Sequence, residues 1–175
     1  YETNRFGSWD LVLIDLMTGA ETPLTRGQGD NTNASWSPDG QSIVFQSNRA
    51  NRLGEAKWQI YRMDMVTRET TQVSNGFTVD TNPIYANESN QLVYDTYGAL
   101  DTSTGGINTS GIPQLAIMDD TGNNNRILTS ASDNAEGPSW SPSDRYLAYS
   151  VDINGLSQVQ VYDVRTGEKI QITDN

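Results

Sequence analysis

The 175-residue chain contains no cysteine and no histidine. A disulfide framework, a Cys-His or Ser-His-Asp catalytic arrangement and a histidine metal site are therefore excluded within it. It has no Gly-x-Ser-x-Gly nucleophile turn and no phosphate-cradling glycine loop. No apolar run is long enough to cross a bilayer. Bases are scarce: 11 Lys and Arg stand against 22 Asp and Glu, a formal charge of −11, and Lys57 and Lys169 are the only lysines. Phosphate-backbone binding needs a basic face, so nucleic acid is excluded as a partner. The acid excess serves solubility and would also attract a basic partner or a cation. Carboxylates are plentiful enough for a two-carboxylate glycosidase, yet no pair is singled out by spacing, and the chain reads as a non-enzyme.

What the chain does have is one unit written repeatedly. Ala34-Ser35-Trp36-Ser37-Pro38-Asp39-Gly40 returns as Pro83-Ile84-Tyr85-Ala86-Asn87-Glu88-Ser89 and as Pro138-Ser139-Trp140-Ser141-Pro142-Ser143-Asp144. Each is followed seven residues after its aromatic by an apolar triplet: Ile43-Val44-Phe45, Leu92-Val93-Tyr94 and Leu147-Ala148-Tyr149. Strands closing on Asp15, Asp64, Asp119 and Asp163 align without gaps, at intervals of 49, 55 and 44 residues. Behind them come Leu24-Thr25, Val73-Ser74, Leu128-Thr129 and Ile172-Thr173. The segments are short, rich in Val, Ile, Tyr and Trp, and separated by Gly, Asn, Asp, Ser and Pro; nothing has helical period. Four short strands per unit, at roughly 40 to 50 residues, predict an all-β chain of four-stranded antiparallel β-propeller blades.

The unit resembles the PD40, or WD40-like, repeat of TolB-like propellers. Trp36 to Gly40, Phe45-Gln46-Ser47, Ile60 to Asp64 and Leu24-Thr25 carry the likeness, which extends over nearly the whole chain. Its second copy departs from the pattern, because Ala86-Asn87-Glu88-Ser89 has lost the Ser-Pro-Asp-Gly turn. The resemblance implies a propeller used as an interaction scaffold. Propellers of this kind also serve as gating domains of serine peptidases, whose catalytic domain would lie outside this segment, and a carbohydrate-binding propeller is a third reading. For that last one, Phe77 is the evident loop aromatic.

The blades are expected at 1–25 (partial), 33–74, 82–129 and 137–173, all in a single propeller segment. Tyr1 to Arg5 aligns with Phe45 to Arg49, so the first unit opens inside its second strand. Propellers close as rings of about 4 to 8 blades. The expectation is therefore that the remaining blades come from the same longer polypeptide or from a second copy. Asn, Thr, Ser and Gly are abundant, as on a periplasmic or secreted surface.

Within each unit Pro38, Asp39 and Gly40 suit a type I turn, and Pro142 takes the corresponding corner. Trp36 and Trp140 are expected to pack between neighbouring blades as buried aromatics, and Tyr85 is the structural residue at the corresponding repeat position. Antiparallel order sends the connections 27–32, 51–56, 75–81, 98–111, 130–136 and 152–156 to one face. That face gathers the candidate binding residues Asp30, Asp80, Asp101, Asp133, Glu136 and Asp152, together with Glu55, for a basic protein partner. Asp30, Asp80 and Asp133 lead into innermost strands, and a ring of such oxygens would suit Ca²⁺. The alternative is that each bonds its own backbone, which the turn preferences of Asp favour. No other cofactor is implied. The Gly-, Ser- and Thr-rich insertion 99–112 reads as a flexible loop recruited for contact.

Overall fold

A computed structural model describes residues 1–50, 57–98, 100–101, 106–107 and 111–174. The elements are strands β1 (Glu2–Thr3), β2 (Asp10–Ile14), β3 (Glu21–Pro23), β4 (Asn31–Trp36), β5 (Ser42–Ser47), β6 (Gln59–Asp64), β7 (Thr70–Gln72), β8 (Val79–Tyr85), β9 (Gln91–Tyr97), β10 (Leu100–Asp101), β11 (Gly106–Ile107), β12 (Gln114–Asp119), β13 (Arg126–Ile127), β14 (Glu136–Trp140), β15 (Tyr146–Ile153), β16 (Leu156–Asp163) and β17 (Lys169–Gln171). One 3-10 turn, Ala131–Asp133, precedes β14. The strands form an antiparallel β-propeller array: a three-stranded sheet β1-β2-β3, then β4-β5-β6-β7, β8-β9-β12-β13 and β14-β15-β16-β17. The insertion is not loop throughout, because β10 and β11 pair as a small hairpin; residues 99, 102–105 and 108–110 lie outside the described residues.

The apolar triplets are continuous because both faces of the inner sheets are covered. Side chains alternate along a strand, so Ile43, Phe45, Tyr61 and Met63 face the first sheet around Leu11. Their neighbours Val44 and Ile60 turn the other way, onto Tyr85, Leu92, Tyr94, Ala116 and Met118 of the third sheet. Val93, Leu115 and Ile117 then meet Leu147, Tyr149 and Val151 of the fourth. Along the inside, β8 touches both β4 and β14.

The repeated polar residues prove to be ladder chemistry. The closing hydroxyl of each unit accepts the N–H of one residue of the strand it follows and pairs with: Thr25 from Leu11, Ser74 from Ile60, Thr129 from Leu115 and Thr173 from Val159, at 2.8 to 3.0 Å. Three of these hydroxyls donate in turn to the residue before it, Thr25 to Asp10, Ser74 to Gln59 and Thr173 to Gln158. The strand-ending acids act alike. Asp15 accepts the N–H groups of Met17 and Thr18, Asp64 those of Val66 and Thr67, and Asp163 those of Arg165 and Thr166. Asp119 accepts those of Thr121 and Asn123. At Pro38 the Ser37 carbonyl takes the Gly40 N–H at 2.9 Å, Gly40 having φ +68°, and Asp39 accepts from Ser37 Oγ at 2.6 Å.

One expectation needs correction: Trp36 is not a buried aromatic but 49% exposed. Trp140 shows why: its indole N–H reaches the Ile84 carbonyl on the innermost strand of the preceding sheet. Among the described residues the three-stranded sheet has no strand in that position for Trp36 to lean on. The degenerate turn at Asn87 still closes a hairpin, β8 with β9. Asp144 of the next sheet supplies what the turn lacks. Its carboxylate accepts the Asn87 and Glu88 N–H groups, both at 2.7 Å, and the Asn87 side-chain amide at 2.9 Å. Burial pushes the Asp144 carboxyl up, but these donors outweigh it and leave it below the ordinary range.

Candidate functional site

The connections after the second and fourth strands emerge at one end of the antiparallel sheets, next to the start of the innermost strands β4, β8 and β14. Each of these three strands carries a bulge where register slips. The bulge residue is left-handed: Asn33 (φ +54°), Asn82 (φ +51°) and Gly137 (φ +64°). Asn and Gly are the residues that tolerate this conformation. A bulge leaves a backbone N–H without a ladder partner, and the second strand of the preceding sheet provides one. Glu2 accepts from Asn33 at 2.6 Å, Gln46 from Asn82 at 2.8 Å, and Asp95 from Gly137 at 3.2 Å. The bulge side chains continue the line, with Asn33 Nδ2 donating to Asn82 Oδ1 and Asn82 Nδ2 to Asp95 Oδ2. A cavity of about 410 Å³ opens along these inner strands, lined chiefly by Asn33, Ala34, Ser35, Asn82, Pro83 and Gly137.

Asp95 is the unusual member of this line. Glu2 and Gln46 occupy the same repeat position, but Asp95 is fully buried. Burial pushes its carboxyl up to about 6, against the pull of the Asn82 and Gly137 hydrogen bonds, with Glu136 adding a further upward push. The 49-residue spacing of Gln46 and Asp95 was the available signal for this cap. It escapes a reading that looks only for exposed acids.

The predicted rim residues separate into different roles. Asp80 is 1% exposed and cannot meet a partner; it accepts from Thr78 and Thr96 hydroxyls at 2.7 to 2.8 Å. Burial raises its carboxyl despite those bonds. Asp133 caps the 3-10 turn by accepting the Ser130 N–H and pairs with Lys169 of β17. The Ser130-x-x-Asp133 spacing was a legible capping box that the strand-based reading passed over. Asp30 accepts from the Trp9 N–H at 3.0 Å and from Asn48 at 3.2 Å. Glu136 and Asp152 are exposed. Asp101 falls in β10, opposite Gly106, and Glu55 lies outside the described residues.

Asp30, Asp80 and Asp133 thus each serve a local network, and the ring of oxygens imagined for Ca²⁺ does not assemble from them. Among the described residues no group of three or more Asp, Glu, His or Cys could hold a metal ion. Phe77 is 87% exposed and borders a separate cleft of about 440 Å³ with Gln59, Gln72, Asn75 and Gly76. No helix is long and apolar enough to cross a membrane.

An antiparallel propeller array of this kind is a fold class widely represented among solved structures. No protein-family model matches the chain. It is similar to TolB from Acinetobacter baumannii, with a TM-score of 0.78 at 24% identity over 99% of this chain and 40% of that one. An oligogalacturonate lyase in complex with manganese superposes at a TM-score of 0.68, with 17% identity over 94% of this chain and 47% of that one. Among curated proteins, an uncharacterised protein of Agrobacterium fabrum is 28% identical over 152 residues, 81% of this chain and 46% of that protein. The chain has the TolB-like propeller fold and spans less than half the length of these relatives.

Proposed function

We propose that the chain is a non-catalytic, extracytoplasmic scaffold that binds a basic protein segment on its loop rim, around the mouth of the inner channel. The supporting observation is that Glu136 and Asp152 are exposed beside that mouth and engaged in no ion pair among the described residues. Asp152 accepts the Gly155 N–H at 2.7 Å in its own turn, while Asp15, Asp64 and Asp119 at the opposite end each accept two backbone N–H groups. Complementary charge of this kind raises encounter rate and selects partners. The two alternatives drawn from the resemblance differ in where they place the work: a peptidase gate needs a hydrolase domain elsewhere. The carbohydrate reading has one observation in its favour, the exposed Phe77 ring beside the amides of Gln59, Gln72 and Asn75.

Affinity capture from the native envelope, repeated with Glu136→Lys and Asp152→Lys together, tests the scaffold. Loss of the captured protein in the double variant, with weakening as salt rises, is the expected result. Equal loss from a charge change at the opposite-face turn Thr166-Gly167 would remove the rim from the account. Retention of neutral glycan that is abolished by Phe77→Ala, without any protein captured, would favour the carbohydrate reading.

A further inference from the structure

The chain is short of bases, yet three of them border one cleft. Arg26, Arg49 and Arg68 line a cavity of about 400 Å³ between the first and second sheets, together with Thr25, Gln28 and Thr70. No carboxylate lines it. The ion pairs among the described residues engage Arg5, Arg62, Arg145 and Lys169, and none engages these three. Guanidinium groups that border a cleft with no acid in its lining are ready partners for an anion.

Arg49 is held in advance. Its guanidinium lies 5.0 Å from the centre of the Phe45 ring and 4.8 Å from that of Tyr61. Nε donates to Ser47 Oγ at 3.1 Å, and one terminal nitrogen donates to Asn31 Oδ1 at 2.7 Å. Five N–H groups minus these two leave three for a ligand. Asn31 links Arg49 to the buried Asp10, donating to Asp10 Oδ1 at 3.2 Å, and Asp10 favours the Arg49 charge from outside the cleft lining. Arg26 is set 5.0 Å over the Phe6 ring. Arg68 occupies a left-handed conformation, φ +64°, where its counterparts in the first and fourth sheets are Gly19 and Gly167. A strained residue kept where glycine would sit without cost points to its side chain being needed.

We propose that this inter-sheet cleft binds a phosphate group, free or carried on a small metabolite. A doubly charged tetrahedral oxyanion presents enough acceptors for three guanidinium forks, which a single carboxylate does not. A cleft of this size holds a ligand of metabolite dimensions. The site is distinct from the acidic rim and its fate does not depend on it.

Isothermal titration of the full chain with inorganic phosphate, at ionic strength held constant with sodium chloride, is the direct test. Glucose 6-phosphate and glucose form the second and third arms. Saturable binding of phosphate, weakened at least about tenfold by Arg26→Gln with Arg68→Gln, is expected from the loss of charge-assisted bonds. Tighter binding of the sugar phosphate assigns a carried group, and equal or weaker binding assigns free phosphate. Arg68→Gly provides a readout that a purely structural arginine would not: a higher melting temperature without ligand, from relief of backbone strain, together with weaker phosphate binding. Phosphate acting no differently from chloride, or the double variant binding as the parent does, overturns the proposal.

Discussion

Replacing Asp95 with asparagine should make the protein more stable at neutral pH, although it removes a charged acceptor from the inner strands. In the folded state the Asp95 carboxyl is raised from 3.8 to about 6. Between about pH 4 and 6 the folded chain therefore holds a proton that the unfolded chain has released. Stability due to this group is full below pH 4, falls as pH rises through 6, and is absent above. A shift of about 2 pKa units corresponds to about 3 kcal/mol. Asparagine cannot ionise and escapes that cost, but it offers one acceptor oxygen where Gly137 N–H and Asn82 Nδ2 now use two. Losing one such bond costs about 1 kcal/mol, leaving a net gain of about 2 kcal/mol above pH 6. Urea unfolding of parent and variant at pH 4, 5, 6 and 7.5 gives the difference curve. It should climb between pH 4 and 6 and then level off. A flat difference, or a variant weaker than the parent at pH 7.5, refutes the reasoning.

Three further substitutions probe the joints between and within sheets. Asp144→Ala should cost about 1 to 2 kcal/mol by urea titration, since it frees the N–H groups of Asn87 and Glu88. Asp144→Gly should cost less, because φ +54° suits glycine. Because the folded Asp144 carboxyl is lowered, its contribution is present above pH 4 and is lost as pH falls below that, opposite in sense to Asp95. Thr129→Val should cost about 1 to 3 kcal/mol in the same assay by leaving the N–H of fully buried Leu115 without an acceptor. Trp140→Ala should cost about 3 kcal/mol and Trp36→Ala about half of that, as its exposure of 49% implies; equal losses on thermal unfolding would mean that the two aromatics are packed alike.

The sheets were legible because their pattern is local. Ile43-Val44-Phe45 announces a strand covered on both faces, and Thr25, Ser74, Thr129 and Thr173 keep step with the strands whose N–H groups they cap. What escaped was three-dimensional. Asp80 and Glu136 look alike as acids near a loop, yet one is closed in by Thr78 and Thr96 and the other faces solvent. Trp36 matches the repeat better than Tyr85 does, yet Tyr85 is buried and Trp36 is not, because burial depends on the sheet alongside. The arginine cleft draws on residues 26, 49 and 68, which share no motif and meet only through sheet packing.

The hydrogen bonds donated by Asn33 to Glu2, by Asn82 to Gln46 and by Gly137 to Asp95 all run from one sheet to the preceding one in the same direction. The second and third sheets thus each carry a plug on one flank and a socket on the other. Duplicating or deleting a whole module preserves that polarity, so such an array can change its number of members during evolution while disturbing only the junction where the splice occurs.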